Sequence, residues 1–451
     1  MLPVSPPLRA NEGVQQVAVG SDAVFAVTTA GRCLAWGSSL HGKLGADDGA
    51  RMEEPEGGVR EVDGLGFAVH VVCGAEHSLA LNSEGAVFAW GSALAGRLGI
   101  GARAAALPCR AGHLPYTRVP ERIEALQHRR IVGLACSDLH CLALSAEGEV
   151  YSWGSASMGR LGVGSDALSL VNGEALQPML VKRLQGCYIV QVVCAKANSA
   201  CLSVAGDVFS WGATSHGLAS CPRNSCAQEE PGLLLGGAAD GNRVTSLAMG
   251  KLHALALSAS GVVFSWGWAG DAALGLGPAT DGGNLCRAVT APTALAALAA
   301  HPVRQIACGD TSSFAVTVDS RLVLWGTVPV HPSMLCPVQG HSGAVRGAGD
   351  WQGADDHRIL WPSFLARQPA GWVSLPSMGG CTSALLIMCM LPPHAMPAAG
   401  GGGDSSAAAQ ERENSRRLAN VQPDVPAAGG CKRKSSHDVG PGGYGWERRL
   451  R

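Results

Sequence analysis

Charge of either sign is scarce in this sequence: Asp, Glu, Lys and Arg make up 15% of 451 residues, and 34 cations against 35 carboxylates leave a net charge of −1. A chain so balanced carries no field to gather phosphate backbones or anionic membranes, so neither direct nucleic-acid binding nor membrane association is expected. Long hydrophobic runs are missing as well. The longest near the C-terminus, residues 384–391, is closed by Pro392 and Pro393, far short of the roughly 20 apolar residues that cross a bilayer. The opening residues, Met-Leu-Pro-Val-Ser-Pro-Pro, lack the charged and apolar regions of a secretory signal. These absences point to a soluble intracellular protein of cytoplasm or nucleus, not a secreted one. In a reducing compartment the 16 cysteines are expected as thiols and not as a disulfide scaffold.

Glycine and proline are plentiful, 61 and 25 residues, which argues against a helical protein. An apolar share of 47% suffices for a sizeable core. Length alone suggests two or three domains, although closed all-β architectures exceed that size as single units. Phe and Tyr number only seven and four against eleven Trp, so the places of the tryptophans become the first question. Six are followed directly by Gly: Trp36, Trp90, Trp153, Trp211, Trp266 and Trp325, at spacings of 54, 63, 58, 55 and 59. Sixteen residues before each stands a small residue, in order Gly20, Gly74, Ser137, Ala195, Gly250 and Gly309. Five residues before each stands Gly31, Gly85, Gly148, Gly206 or Gly261, with Ser320 in the sixth copy. A fixed internal frame with variable connections marks a repeat architecture.

Within the second copy, an apolar run from Val71 to Leu81 is followed by Asn82-Ser83-Glu84-Gly85 and then Ala86 to Gly91. The pattern predicts strand, tight turn, strand, with the turn glycine free to adopt positive φ. The same hairpin recurs around Trp153 and Trp266. These strands are apolar on both faces, so each sheet must be covered on both sides. Radially stacked four-stranded blades meet that demand, and a repeat of about 58 residues holds four strands with their loops. A β-solenoid favours shorter, more uniform coils. The expected fold is an all-β propeller.

At these residues the chain resembles the RCC1-repeat family, the regulator of chromosome condensation type of β-propeller. The family pattern is a Gly-x-x-His inner strand, a turn Gly, a Trp-Gly strand end and Gly-x-Leu-Gly. The second copy carries all of it: Gly74-Ala75-Glu76-His77, Gly85, Trp90-Gly91 and Gly96-Arg97-Leu98-Gly99. The first keeps Gly42-Lys43-Leu44-Gly45, and the third keeps His140 and Gly159-Arg160-Leu161-Gly162. Erosion then grows: Asn198 takes the His slot of the fourth copy, which retains Gly217-Leu218; the fifth keeps His253 and Leu274-Gly275; Ser312 replaces His in the sixth. The resemblance implies seven blades, six clear and one degenerate, with residues 379–386 as a seventh inner strand. The resulting division is an N-terminal extension over 1–14, a propeller over 15–391 with clear repeats to about 327, and a low-complexity, disordered tail over 392–451.

The chemistry-bearing candidates mostly have structural readings. Gly37 to Lys43 approaches a phosphate-binding loop, but Leu44 stands where the magnesium-binding hydroxyl belongs and the frame repeats at Gly91 and Gly154, which excludes a nucleotide site. His77, His140 and His253 fall at one point of separate copies and are expected to form structural hydrogen bonds, not a metal cluster. Cys73, Cys136, Cys194 and Cys308 precede the small anchors and are expected as buried packing residues. Cys221 and Cys226, near His216, lack a second pair at zinc spacing and are expected as loop thiols. The six Trp-Gly tryptophans, with Gly74, are expected as repeat anchors. No metal, no cofactor and no enzymatic chemistry is expected.

The expected function is a non-catalytic, monomeric interaction platform for a protein partner. The resemblance also implies an alternative, guanine-nucleotide exchange on a Ran-like small GTPase, and for that role it singles out Glu76, directly before His77, and His41 in the outer loop as partner contacts. Of the other tryptophans, Trp351, Trp361 and Trp372 cluster where the repeat degrades, a place for an aromatic contact surface; Trp268 and Trp446 lie apart.

Overall fold

The computed structural model describes residues 8–45, 58–107, 115–164, 166, 170–219, 226–237, 243–270, 272–277 and 288–328, with the strands Leu335–Pro337, Val345–Arg346 and His357–Leu365. They form six antiparallel sheets, five of them four-stranded and meandering in chain order, the sixth departing from that order beyond its third strand. Blade 1 comprises Val14–Val19, Ala23–Thr28, Cys33–Gly37 and Arg60–Glu61; blade 2 Ala68–Cys73, His77–Asn82, Val87–Ser92 and Tyr116–Arg122. Blade 3 comprises Ile131–Cys136, His140–Ser145, Val150–Ser155 and Glu174–Leu180; blade 4 Ile189–Cys194, Asn198–Ser203, Val208–Ala213 and Ala227–Leu235. Blade 5 comprises Val244–Met249, His253–Ser258, Val263–Trp268 and Ala288–Ala294; blade 6 Val303–Cys308, Ser312–Thr317, Leu322–Val328 and His357–Leu365.

Each first strand packs on the first strands of its neighbours, from blade 1 through blade 6, which makes it the innermost. The strand that opens with the His slot is therefore second from the centre, a correction to the inner-strand reading. The apolar run from Val71 to Leu81 is likewise two strands, bent at Gly74 to Glu76. The bend is closed by the Gly74 N–H donating to the His77 carbonyl at 2.9 Å. A Cβ on Gly74 would stand 2.3 Å from the Ser137 carbonyl of blade 3. The neighbouring backbone, as well as the turn, thus demands a small residue here.

All six second strands are buried along their whole length, as cover on both faces requires. Five of the six anchor tryptophans are at most 1% exposed, while Trp36 is only partly buried. In blade 6 the fourth strand arrives late: Val323 pairs with Phe364 and Gly326 with Ile359, and Leu335–Pro337 and Val345–Arg346 add to the same strand. The described strands of the stretch expected as a degenerate seventh blade therefore belong to the sixth sheet, whose third strand would otherwise present an unpaired edge. The expected seventh inner strand, 379–386, lies outside the described residues, as does the tail 392–451. Six blades are described, and among the described residues no strand of blade 6 packs on blade 1 as closely as consecutive blades pack on each other. No helix among the described residues is long and apolar enough to cross a membrane.

Candidate interaction face

The repeat motifs bond between blades more than within them. In Gly-x-Leu-Gly, the carbonyl of residue x accepts the indole N–H of the next blade's tryptophan: Trp90 to Lys43 at 2.7 Å, Trp153 to Arg97 at 2.9 Å, Trp211 to Arg160 at 2.9 Å and Trp325 to Ala273 at 2.8 Å. The final glycine lies flat against the same ring. A Cβ on Gly45, Gly99, Gly162 or Gly275 would come within 2.7–2.8 Å of it. Nearer the centre, the Gln16 amide bonds both ways with Val71 at 2.8 Å, and Gln191 does the same with Leu247 at 2.9 and 2.8 Å.

The histidine slot reaches forward too. His140 Nε2 pairs with Ser199 Oγ at 2.8 Å and its Nδ1 with Ser137 Oγ at 2.6 Å, while His253 Nε2 pairs with Ser313 Oγ at 2.9 Å. His77 Nε2 meets sulfur instead, 3.1 Å from Cys141 Sγ and 3.2 Å from Cys136 Sγ. Burial pulls the pKa of His77 well below its usual value, that of His140 to about 3 and that of His253 to about 4, so all three rings are neutral. His140 and His253 thus bond across blade interfaces to serine hydroxyls, and Cys136, expected as a packing residue, also contacts the His77 ring.

Residue x also carries a cation in the first three copies. Lys43 and Arg97 have side chains 4% and 2% exposed, yet they end in charges. Lys43 Nζ contacts the Asp22 carboxylate and donates to the Ala75 carbonyl at 3.4 Å. Arg97 Nη1 reaches Glu76 Oε2 at 3.0 Å, and Arg160 donates to the Lys196 carbonyl at 3.1 Å and the Ser157 carbonyl at 2.7 Å. Lys43 is thus held by its own blade's turn. The carboxylates lie above: the side chains of Asp22 and Glu76 are 46% and 36% exposed.

His41 and Glu76, singled out separately in the sequence, do come together: His41 Nδ1 lies 3.8 Å from Glu76 Oε1. Glu76 nonetheless has a prior task in neutralising Arg97. His41 has a φ of 57°, but Ala95 and Met158 share that left-handed backbone, so it belongs to the loop's architecture. Sequence reasoning missed the apolar members of these loops. Leu40, Leu94 and Met158 are 52%, 40% and 52% exposed on three consecutive blades, and the signal was their place just before each Gly-x-Leu-Gly. Cys141 was missed as well. Of the other candidates, His216 packs edge-on against Trp268 at 5.7 Å, and Cys226 is exposed. Cys221, Trp351, Trp372, Trp446 and the side chain of Trp361 lie outside the described residues.

The family model of the regulator of chromosome condensation (RCC1) repeat matches residues 30–81, 84–144, 147–202 and 260–316. The chain is 32% identical over 379 residues to the E3 ubiquitin-protein ligase HERC2 of Homo sapiens, covering 79% of this chain and 7% of that protein. It is 31% identical over 312 residues to the ultraviolet-B receptor UVR8 of Arabidopsis thaliana, covering 69% of this chain and 64% of the receptor. It therefore spans less than two thirds of either relative. Among solved structures, it resembles Prp20p of Saccharomyces cerevisiae, described with binding properties to Gsp1p and histones, at a TM-score of 0.59 and 22% identity over 79% of this chain and 78% of that one. Human WBSCR16 gives a TM-score of 0.56 at 24% identity, covering 68% and 73%. At these identities the likeness is one of fold. With its motifs forming the inter-blade bonds of a propeller and its repeats matched over half its length, the chain belongs to the RCC1-repeat family.

Proposed function

We propose that the protein is a non-catalytic interaction platform, and that its partner docks on the loops of blades 1 to 3. The observation that carries this reading is the row of Leu40, Leu94 and Met158, exposed beside the half-exposed carboxylates of Asp22 and Glu76. Single exposed apolar residues mean little, but here the same outer loop carries one on each of three adjacent blades, Leu40 and Leu94 at one position and Met158 at the next, beside fixed charge. The buried cations hold those carboxylates in place before binding, which lowers the ordering needed on association. A partner with an apolar anchor flanked by Lys or Arg suits such a surface.

The test alters the apolar row, because replacing Glu76 would strand the buried Arg97 charge and blur binding with stability. The triple variant Leu40→Asp, Leu94→Asp, Met158→Asp should keep its melting temperature and lose the proteins that the parent captures quantitatively from its own cell extract. Equal capture by parent and variant would move the interaction elsewhere. A nucleotide-release assay with a Ran-like GTPase separates the alternative: accelerated GDP release by the parent chain would replace the platform reading with exchange.

A further inference from the structure

We propose that the interface between blades 2 and 3 is a zinc site, formed by His77 Nε2 and the thiolates of Cys136 and Cys141. His77 opens the second strand of blade 2, while Cys136 and Cys141 stand opposite each other on the first and second strands of blade 3. The three ligand atoms form a small triangle: 3.1 Å from nitrogen to Cys141 Sγ, 3.2 Å to Cys136 Sγ and 4.0 Å between the sulfurs. A point equidistant from them lies about 2 Å from each, within reach of zinc–imidazole and zinc–thiolate bond lengths after a small displacement out of their plane. All three residues are buried.

The ligand chemistry selects a thiophilic ion, and the charge selects zinc. Two thiols release their protons to solvent as two Zn–S bonds form, and neutral His77 donates a lone pair. The product, one dication with two thiolates, has no net charge and so tolerates a dry interface. A disulfide is the competing pairing, but the sulfurs stand far beyond the roughly 2 Å of an S–S bond, and it would leave the imidazole unused.

Comparison within the molecule isolates what is special here. At the two other histidine interfaces the residue facing Nε2 is Ser199 or Ser313. Cys194 and Cys308 fill the slot equivalent to Cys136 in those blades. Only the interface of blades 2 and 3 unites His, Cys and Cys among the described residues. Gly74 contributes by omission: where Ser137 bonds His140 Nδ1 at 2.6 Å, Gly74 offers no hydroxyl and lets the His77 ring pack against its backbone. The cluster was not visible as zinc spacing because its ligands are 59 and 5 residues apart, set by the blade repeat and a strand pairing.

The full chain, purified under reducing conditions, should hold about one equivalent of zinc by elemental analysis. After exchange for cobalt it should show thiolate-to-cobalt charge-transfer absorption. Cys141→Ser installs the residue that the fold already accepts beside His140 and His253, so it should fold normally, lose that equivalent and lose the band. If Cys141→Ser fails to fold, His77→Asn, which copies Asn198 of the fourth blade, gives the same readout. Zinc content and cobalt spectrum unchanged in a folded variant, or no thiolate band in the parent, would overturn the proposal.

Discussion

The interface of blades 3 and 4 and that of blades 4 and 5 arise from the same repeat, yet they differ in almost every motif bond. Between blades 3 and 4, His140 bonds Ser199, Ser199 Oγ donates to the Arg160 carbonyl at 2.8 Å, and Trp211 donates to the same oxygen. Between blades 4 and 5, Asn198 turns back into its own blade, donating to the Trp211 and Ala213 carbonyls at 3.3 and 2.7 Å. Ala254 replaces the serine, Gly-x-Leu-Gly has become Gly217-Leu218-Ala219-Ser220, and the buried Trp266 indole N–H has no partner among the described residues. The Gln191 amide clasp near the centre and the Arg243 guanidinium on the Val204 carbonyl still join these two blades. Erosion of one copy is therefore felt by the next blade. The three departures occur together because each residue's value depends on the other two: a histidine without a serine, or a tryptophan without its carbonyl, leaves a buried polar group unmatched.

The comparison breaks most visibly at the tryptophans. Trp211→Ala removes a large buried ring and the hydrogen bond to Arg160, and should destabilise by about 3–5 kcal/mol in denaturant unfolding. Trp266→Ala removes a similar ring whose N–H already lacks a partner, so its loss should be smaller by about 1–2 kcal/mol. Equal losses at the two sites would mean that packing alone decides, and that the Gly-x-Leu-Gly carbonyl contributes nothing measurable.

Acid sharpens the contrast at the histidine slot. Buried His140 and His253 are neutral, with pKa values of about 3 and 4 against an ordinary 6.5. Between those limits the unfolded chain binds more protons than the folded one, so stability rises with pH through this window. It is fully present above about pH 6.5 and declines as the pH falls toward 4. His140→Asn should lower stability at neutral pH by about 1–2 kcal/mol through the lost bonds. It should also flatten the fall in melting temperature from pH 7 to pH 5; an unchanged slope would exclude His140 as a contributor.

Much of this was legible in the sequence. The constant steps from small anchor to turn glycine to Trp-Gly placed the second and third strands, and five anchor tryptophans are as buried as the pattern requires. What the copies could not show is direction, because motifs align within a copy whereas their bonds run to the next. The bend at Gly74 hid in a continuous apolar run because its turn is set by the Ser137 backbone of another blade. Fourth strands hid for a different reason. Tyr116–Arg122, Glu174–Leu180 and Ala288–Ala294 follow loops of unequal length and are largely surface strands, with little hydrophobic pattern to fix them. At the candidate face, the sequence singled out Glu76 and His41 but not Arg97 beside them, since a cation in Gly-x-Leu-Gly reads as a surface charge until its burial is seen.

The smallest effect is also the most discriminating. Asn198→His alone gives up the two bonds to the Trp211 and Ala213 carbonyls and aims a ring nitrogen at the Ala254 methyl, so it should destabilise. Adding Ala254→Ser restores the pair seen at His140 and Ser199, and the double variant should be more stable than Asn198→His by about 1 kcal/mol. A thermodynamic cycle over the four proteins measures that coupling. Zero coupling would locate the fault in the Leu218 loop, because the serine hydroxyl needs the residue-x carbonyl as its acceptor, as Ser199 needs Arg160 and Ser313 needs Ala273. Positive coupling would show that the loop still presents that oxygen, and that the fourth interface lost its bonds through two side chains.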